Sequence, residues 1–479
     1  MRQRATKIIA TIGPSSFSVE ILRSMILAGV DTTRLNFSHG NPKRLAELAF
    51  NIRNVALSLG KAVAIISDLQ GPKIRIGKFK DNKVNLKKGQ NFVLDTNCEI
   101  GNNERVGLDY KDLPKDVEKK DILYLNDGLI ALEVESVLTN EIFTVVKVPG
   151  ELTNNKGINK RGGGLSANAL TAKDMEDIKI AMSFSSDYIA VSFPKDATDM
   201  ILARQLANVA GESLGYKPQM IAKIERAESI PFLKDILEVS DGVMVARGDL
   251  AVEVGNAAVP AIQKKIISMA RNTKKIVITA TQMMESMTTN IMPTRAEVSD
   301  VANAVLDGTD AVMTSAETAV GKYPVETIEA MSDICLEAEK SENLSLDSDF
   351  MNITFKRIDE SIAYGALFTA YHLRVKAIIA LTESGSTPLW MSRHKIDIPI
   401  YAITPSLITQ RKVSLFRNVY PLKLDLDNLE RDSTFDSAKK ILVEKGFVKE
   451  NDMVVITWGE PMGRVGGTNA LKISRINKY

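Results

Sequence analysis

The amino-acid sequence predicts an α/β protein: a (β/α)8 TIM barrel with an inserted β-barrel domain and a C-terminal α/β domain. Three observations predict this architecture. Eight short apolar runs alternate with amphipathic helical stretches, one long segment between two runs has strand-like alternation, and a third α/β region follows the last barrel helix. With 479 residues the chain is too long for one hydrophobic core, so several domains are expected.

The eight apolar runs are rich in Ile, Val and Ala and show no polar alternation. This pattern is typical of parallel strands that are covered on both faces. The runs span residues 7–12, 32–36, 62–67, 188–193, 220–224, 242–246, 275–279 and 311–314. Helical patterns follow most of them, for example at 18–28, 44–59 and 257–271. Repeated units of this kind predict a catalytic barrel over residues 1–70 and 165–340.

Helical periodicity disappears over residues 71–164, which predicts a small β domain inserted after the third strand. Alternating stretches occur at 83–86, 91–94, 122–125, 129–135 and 142–148, between Gly, Asn and Asp residues. The three glycines at 162–164 predict a hinge on its return side. Residues 341–479 predict a separate α/β domain, with helices at 359–373 and 434–445 and strands at 377–381, 400–403 and 453–457.

Composition excludes several classes of protein. The formal net charge of +2 gives no reason to expect nucleic acid or an anionic membrane as a partner. The two cysteines, Cys98 and Cys335, have no metal-type spacing and indicate a reducing compartment. No apolar stretch of about 18 residues and no signal-peptide core occur, so we expect a cytoplasmic protein without a membrane span.

Polar residues gather where the predicted strands end, which is where barrels place their active sites. Lys223 and Glu225 are two residues apart on the fifth strand, so their side chains point the same way. Asp249 follows the sixth strand, and two carboxylates on adjacent strands suit Mg²⁺. A Lys–Glu pair closing the barrel rim is the alternative, but Asp249 and Thr281 on the next two strands favour a polyanion site.

Other residues near these strand ends allow two interpretations. Arg34 and Arg75 suit a phosphate clamp, or they face solvent. Gly248 lets backbone N–H groups approach a carboxylate, or it forms a plain turn. His39 contacts a nucleotide, or it is an ordinary loop histidine.

Six segments resemble the pyruvate kinase family, and the resemblance spans the barrel densely, the inserted domain loosely and the C-terminal domain recognisably. They are Lys7-Ile-Ile-Ala-Thr-Ile-Gly-Pro-Ser-Ser16, Arg34-Leu-Asn-Phe-Ser-His-Gly40, Asp68-Leu-Gln-Gly-Pro-Lys-Ile-Arg75, Ile221-Ala-Lys-Ile-Glu-Arg226, Met244-Val-Ala-Arg-Gly-Asp-Leu250 and the long segment from Pro293 to Asp310. The resemblance implies transfer of a phosphoryl group from phosphoenolpyruvate to ADP, giving pyruvate and ATP as the final step of glycolysis. It also implies a homotetramer.

The resemblance implies a role for each residue at the strand ends. Glu225 and Asp249 would bind Mg²⁺, with Mn²⁺ as an alternative, and Lys223 would stabilise the phosphoryl group in transfer. Thr281 would relay a proton to the enolate carbon or order the water that does so. Arg34 would hold the phosphate together with Lys223. Two further groups are implied: backbone N–H groups of Ala246, Arg247, Gly248 and Asp249 for the substrate carboxylate, and Asn36, His39 and Arg75 for ADP or ATP. The inserted domain would close over them as a lid that excludes water.

The chain departs from the family at a monovalent-cation site. Many members hold K⁺ with oxygens at positions that match Asn36, Ser38, Asp68 and the carbonyl of Leu69. Those members usually carry Thr, Lys and Glu where this chain has Leu69, Gln70 and Lys73. The Lys73 ammonium would replace the K⁺ charge, which predicts activity without K⁺; a surface charge at the lid hinge is the alternative.

A hydroxyl-rich loop follows the first predicted strand of the C-terminal domain. It consists of Thr382, Glu383, Ser384, Gly385, Ser386 and Thr387. Hydroxyls and a glycine before a helix suit a phosphate, or they form an ordinary N-capped turn. The resemblance implies an allosteric site for AMP or a sugar phosphate, completed by residues 463–467.

Two rival functions follow from the same residues. One is a magnesium-dependent aldolase or lyase of the phosphoenolpyruvate/pyruvate barrels, for which neither the inserted domain nor Lys223 is expected. The other is a catalytically silent sugar-phosphate sensor that uses only the C-terminal domain, against which the set Lys223, Glu225, Asp249 and Thr281 argues.

Overall fold

The computed structural model describes residues 3–38, 40–126, 128–341, 354–424 and 431–477. The first part of the barrel consists of β1 (Lys7–Thr11), α1 (Val19–Ala28), β2 (Thr32–Asn36), α2 (Pro42–Ser58) and β3 (Ala64–Asp68). Helix α1 begins where the Ser18 side chain accepts the Ile21 N–H, and it ends at Gly29, whose φ is 130°.

The segment after β3 is almost entirely β structure, as predicted. Its elements are β4 (Lys78–Phe79), β5 (Lys83–Leu86), β6 (Asn91–Asp95), β7 (Ile100–Gly101), β8 (Arg105–Gly107), α3 (Leu113–Asp116), β9 (Ile122–Leu125), β10 (Ile130–Val137), β11 (Glu141–Val148), β12 (Gly150–Thr153) and β13 (Ile158–Lys160). A six-stranded sheet has the order β13-β9-β10-β11-β6-β8, and two small sheets pair β12 with β5 and β4 with β7. Alternate residues such as Phe92, Leu94, Leu132 and Val146 form its apolar core.

The barrel resumes with helices and short buried strands. Its elements are α4 (Ala172–Ser183), β14 (Tyr188–Val191), α5 (Ala197–Gly211), β15 (Gln219–Ile224), α6 (Leu233–Val239), β16 (Gly242–Ala246), α7 (Arg247–Val254), α8 (Val259–Asn272), β17 (Ile276–Ala280), α9 (Arg295–Asp307), β18 (Ala311–Thr314), α10 (Ala316–Ala319) and α11 (Pro324–Lys340). The strands close in the order β1-β18-β17-β16-β15-β14-β3-β2. This closed barrel confirms the predicted fold class. Most residues of its strands are apolar, as expected of strands that are covered on both faces.

The C-terminal part is a five-stranded sheet with helices. It comprises α12 (Ile358–Leu373), β19 (Ala377–Leu381), α13 (Ser386–Met391), β20 (Ile400–Thr404), α14 (Leu407–Val413), β21 (Val419–Lys423), α15 (Arg431–Glu444), β22 (Met453–Gly459) and β23 (Thr468–Arg475). The order is β21-β20-β19-β22-β23, and β23 runs antiparallel to β22. The sequence reading did not predict β21 and β23, since both are edge strands, one with a proline and one with many polar residues.

Two compact units contain the described residues. One lies within Met1–Ser67, Ala181–Ile189 and Ile267–Tyr479, and the other within Asp68–Ile180 and Ala190–Ile266. Across the part of the chain that the structure describes, we find no helix with the length and apolar character that a membrane crossing requires.

Candidate active site

The ammonium group of Lys223 lies among oxygen atoms at the end of β15. Its Nζ is 2.8 Å from Glu225 Oε1 and 3.2 Å from Asp68 Oδ1. It also donates to Ser192 Oγ at 2.7 Å. Only 11% of the Lys223 side chain is exposed. The ends of β3, β14 and β15 therefore hold one positive charge between two buried carboxylates.

Glu225 is buried within this cluster. Its Oε2 accepts the Phe193 N–H at 3.0 Å. Burial raises the pKa of Glu225 to about 7; Lys223 lowers it, while Asp249 and Asp68 raise it. Because the negative charges repel one another, a bound cation would lower the free energy of the ionised cluster.

Backbone conformation at the strand ends brings these groups together. Phe193, which follows β14, has φ of 56°, and this aims its N–H at Glu225. Gly71 has φ of 68°, and a Cβ there would lie 2.7 Å from Ser192 Cβ. A glycine is therefore needed where the chain after β3 passes the end of β14.

Asp249 lies in the first turn of α7, which begins directly after β16. Its Oδ1 is 3.7 Å from Lys73 Nζ. The side chains of Asp249 and Lys73 are 26% and 30% exposed. The structure thus places a helix start, not an isolated turn, at Gly248. Because the first N–H groups of a helix have no partner within it, the backbone from Ala246 to Asp249 suits a carboxylate.

Three predicted residues lie in the other compact unit, at the ends of β2 and β17. The Arg34 guanidinium donates to Thr11 Oγ1 at 3.1 Å, and the Asn36 side chain accepts the Ser38 N–H at 3.0 Å. Thr281 follows β17 with φ of 67°, and its hydroxyl donates to the Ala280 carbonyl at 2.6 Å. A β-branched residue at positive φ stores strain of about 1–3 kcal/mol, which is characteristic of functional sites.

The remaining predicted nucleotide contacts are described only in part. The Arg75 guanidinium donates to the Asn155 carbonyl at 3.0 Å, and its backbone N–H donates to Asp109 at 2.7 Å. These contacts tie Arg75 into the inserted β segment. His39 lies outside the described residues.

The 382–387 loop has a fixed shape. Gly385 adopts φ of 81°, and its N–H donates to Thr382 Oγ1 at 2.9 Å. The side chains of Thr409 and Lys412 donate to the carbonyls of Glu383 and Ser384, at 2.6 and 3.1 Å. This network anchors the loop to α14.

The loop is also tied to the region that follows β22. The Thr387 and Thr468 hydroxyls are 2.8 Å apart and buried. Because Thr468 begins β23 directly after residues 463–467, both segments predicted for the effector site meet here.

Sequence reasoning missed two contacts of Lys223. It gave Ser192 no role and assigned Asp68 only to the cation region. Asp68 ends β3 and Ser192 directly follows β14. Polar residues at strand ends were the signal that identified Glu225, and the same signal applies to these two residues. Their contact with Lys223 depends on β3, β14 and β15 being neighbours in the barrel. The spacing of residues along the sequence does not show this.

The donor set fits a divalent cation. Glu225 and Asp249 offer hard carboxylate oxygens, which Mg²⁺ prefers. Within the described ranges, no group of three or more His, Cys, Asp or Glu side chains has the arrangement of a metal site. Two protein carboxylates leave the other coordination positions to water and substrate oxygens.

A parallel barrel with a lysine and carboxylates at its strand ends defines a class of enzyme barrels that bind phosphorylated, anionic substrates. The model of the pyruvate kinase barrel domain matches residues 3–328, and that of the pyruvate kinase alpha/beta domain matches residues 360–474. The chain belongs to the pyruvate kinase family.

Full-length relatives agree with this assignment. "Pyruvate kinase II" of Salmonella typhimurium is 48% identical over 481 residues, covering 99% of each chain. "Pyruvate kinase" of Buchnera aphidicola subsp. Baizongia pistaciae is 48% identical with the same coverage. "Pyruvate kinase" of Thermotoga maritima is 39% identical over 476 residues, covering 99% of this chain and 100% of the relative.

Proposed function

We propose that this chain transfers the phosphoryl group of phosphoenolpyruvate to ADP, giving pyruvate and ATP, as the last step of glycolysis. The observation that carries the proposal is the Lys223 ammonium, which lies 2.8 Å from Glu225 and 3.2 Å from Asp68 at the end of β15. A fixed cation in a poorly hydrated site stabilises the charge on a transferring phosphoryl group.

A divalent metal ion, Mg²⁺ or Mn²⁺, would be held by Glu225 and Asp249. When bound, it neutralises phosphoryl and enolate charge. Lys223 and Arg34 bind the phosphate oxygens from the protein side. Thr281 holds the proton, or the water, that reaches the enolate carbon.

The remaining polar groups bind the rest of the two substrates. The backbone N–H groups of Ala246, Arg247, Gly248 and Asp249 would bind the carboxylate of phosphoenolpyruvate. The side chains of Asn36, His39 and Arg75 would bind ADP or ATP.

Residues 71–164 would act as a lid between the barrel segments 1–70 and 165–340. The glycines at 162, 163 and 164 all have φ between 80° and 91°, which favours a hinge because other residues rarely adopt this conformation. Closure would exclude water and protect the phosphoryl group from hydrolysis.

Lys73 would make the enzyme independent of K⁺. Its ammonium lies 3.7 Å from Asp249, so it supplies a fixed positive charge beside a proposed metal ligand. This charge would stand in for the K⁺ held elsewhere in the family near Asn36, Ser38, Asp68 and Leu69.

Regulation and assembly complete the proposal. AMP or a sugar phosphate would bind to the 382–387 loop with residues 463–467, within the domain proposed for 341–479. We further propose a homotetramer in the cytoplasm, in keeping with the family.

The test is ADP-dependent release of pyruvate from phosphoenolpyruvate, followed by coupling to lactate dehydrogenase. We expect turnover with Mg²⁺ and its loss with a chelator. Glu225→Gln should lower kcat by about 100-fold or more, because it removes a charged ligand. Glu176→Gln, at an exposed glutamate that pairs with Lys179, is the matched control.

Three results would contradict the proposal. Pyruvate release from phosphoenolpyruvate without ADP would mean that water, not ADP, takes the phosphoryl group. Failure to release pyruvate with ADP, together with cleavage of a pyruvate aldol adduct, would indicate an aldolase or lyase. Binding of a sugar phosphate without any turnover would indicate a sensor.

A further inference from the structure

Four aspartates occupy equivalent positions in the barrel, each directly before its second, fourth, sixth or eighth strand. Each exchanges two hydrogen bonds with the second residue of the preceding barrel strand: its carboxylate accepts that residue's N–H, and its own N–H donates to that residue's carbonyl. The carboxylate bonds join Asp31 to Ile8 at 2.9 Å, Asp187 to Ile65 at 2.8 Å, Asp241 to Met220 at 2.8 Å and Asp310 to Val277 at 2.9 Å.

Each of these carboxylates also pairs with an arginine, and at two of them an arginine comes from the C-terminal sheet region. Asp187 has in addition a barrel arginine, Arg53 of α2, at 2.8 Å. Asp31 pairs with Arg4 at 2.9 Å, and Asp241 pairs with Arg204 at 2.8 Å. Both of these arginines lie in the barrel region. By contrast, Asp187 pairs with Arg411 at 2.8 Å and Asp310 with Arg393 at 2.8 Å, and both arginines come from the C-terminal sheet region. The burial follows the same division, since Asp31 and Asp241 are 24% and 27% exposed and Asp187 and Asp310 are 1% exposed.

The two C-terminal arginines lie on the elements that frame the 382–387 loop. Arg411 lies in α14 between Thr409 and Lys412, whose side chains hold the loop carbonyls. The Lys412 carbonyl in turn accepts the Tyr188 hydroxyl at 2.6 Å, next to Asp187. Arg393 follows α13, which begins inside the loop at Ser386.

The strands held by the two buried aspartates end at proposed catalytic groups. Strand β3 ends at Asp68, which lies 3.2 Å from Lys223 Nζ, and Thr281 directly follows β17. Each buried carboxylate is bonded both to an amide near the start of its strand and to a C-terminal arginine, so a shift of the arginine either displaces the strand or breaks a buried ion pair. The bonded amides, of Ile65 and Val277, lie three and four residues before Asp68 and Thr281.

We propose that Asp187 and Asp310 are positioning residues that couple a phosphorylated effector at the 382–387 loop to the ends of β3 and β17. The coupling rests on the effector site proposed above. Asp241 performs the same local task without coupling, because its arginine, Arg204, belongs to the barrel. Asp31 is not used for comparison, since its carbonyl accepts the Ser414 hydroxyl from the end of α14. The Asp241–Arg204 pair can therefore be compared with the Asp187–Arg411 pair to test the coupling.

Arg411→Gln is the informative variant, because Asp187 keeps its ion pair with Arg53 at 2.8 Å. We therefore expect this variant to fold, which its unfolding transition checks. Arg204→Gln is the matched control at Asp241. The half-saturating concentration of phosphoenolpyruvate is measured for the full-length enzyme with and without AMP or glucose 6-phosphate. A typical coupling shifts this concentration by about fivefold or more. We expect the shift to fall below about twofold in Arg411→Gln, to remain in Arg204→Gln and to return in part in Arg411→Lys.

The coupling is overturned if both glutamine variants keep the full shift, or if both lose it equally, since equal loss indicates a purely structural role. If neither probe affects the wild-type enzyme, the effector site itself is wrong. The positioning role is then judged without effector. It requires that the half-saturating concentration of phosphoenolpyruvate differ by about threefold or more between Arg411→Gln and Arg204→Gln at equal kcat. A smaller difference overturns it. Absence of ADP-dependent pyruvate release from the wild-type enzyme would refute the proposed activity instead.

Discussion

Charge at single residues explains most of what the candidate active site requires. The Lys223 ammonium lies beside Asp68 and Glu225, and the Lys73 ammonium lies 3.7 Å from Asp249. Burial is the main reason why the pKa of Glu225 is raised, and the negative charges of Asp249 and Asp68 add to the rise. A divalent cation bound by Glu225 and Asp249 would offset these charges.

Lys73 carries the prediction about K⁺. We expect turnover in buffer free of Na⁺ and K⁺ to be within about twofold of turnover with K⁺, because the ammonium supplies the cation permanently. Lys73→Glu should make activity depend on added K⁺. Lys115→Glu, at an exposed lysine paired with Asp112, is the control. A large stimulation of the wild-type enzyme by K⁺ would refute the interpretation.

Glu253 carries a prediction about pH. Its carboxylate accepts the Ala227 N–H at 2.8 Å, and burial raises the pKa of Glu253 to about 7. A raised carboxyl pKa means that the folded state favours the protonated form. The resulting stabilisation is complete below about pH 4.5 and is lost as pH rises through about 7.

Urea unfolding at pH 5 and pH 8 tests this sign. From pH 5 to pH 8 the wild-type enzyme should lose about 2–3 kcal/mol of unfolding free energy relative to Glu253→Gln, which cannot ionise. Glu176→Gln should follow the wild-type enzyme. Parallel pH profiles for the wild-type enzyme and Glu253→Gln would show that Glu253 does not titrate in this range.

Among the structural elements, the segment that follows β13, residues 162–165, is hydrogen-bonded to barrel residues. The Gly162 N–H donates to the Glu253 carbonyl at 3.0 Å, and the Arg226 guanidinium donates to the Leu165 carbonyl at 2.5 Å. The Gly164 N–H donates to Glu228. The proposed hinge at these glycines would therefore lie next to backbone that the barrel residues hold in place.

Gly163→Ala tests the hinge. The new Cβ would lie 3.1 Å from the Glu228 side chain in a backbone with φ of 80°. We expect a loss of stability of about 1–2 kcal/mol from the backbone strain, with a several-fold lower kcat if closure is impaired. Gly89→Ala has φ of 82° and nothing within 4 Å, so it carries the same strain without the contact. Equal kcat in the two variants would exclude a hinge role for Gly163.

Sequence periodicity located most elements because burial repeats with the period of the element. Strands β2, β16 and β18 have the predicted bounds. Strands β16 and β18 are short runs buried along their whole length, whereas β2 has half-buried polar residues at Arg34 and Asn36. Strands β21 and β23 have no such run, because an edge strand keeps one side in solvent. Their existence depends on partners that lie elsewhere in the chain.

At the scale of the whole molecule, the proposed assembly is a homotetramer. Sedimentation equilibrium should give about four times the chain mass of 52.5 kDa. Dilution should not change the mass in the range used for assays. A monomer at those concentrations would contradict the assembly while leaving the activity untouched.

The sequence by itself determined the barrel, the inserted β segment, the family and the residues at the strand ends. This was possible because the periodicity of apolar residues along the sequence indicates which residues are buried and which polar residues end each strand. Only the tertiary structure decided that Lys223 contacts Asp68 and Ser192, and that α7 begins at Arg247.

The structure alone also revealed the four aspartate caps and their two kinds of arginine. Asp187 and Arg411 are 224 residues apart, so no local pattern relates them. Contacts at such separation depend on how sheets close and pack. The free energy of a buried ion pair likewise depends on burial that the sequence does not state.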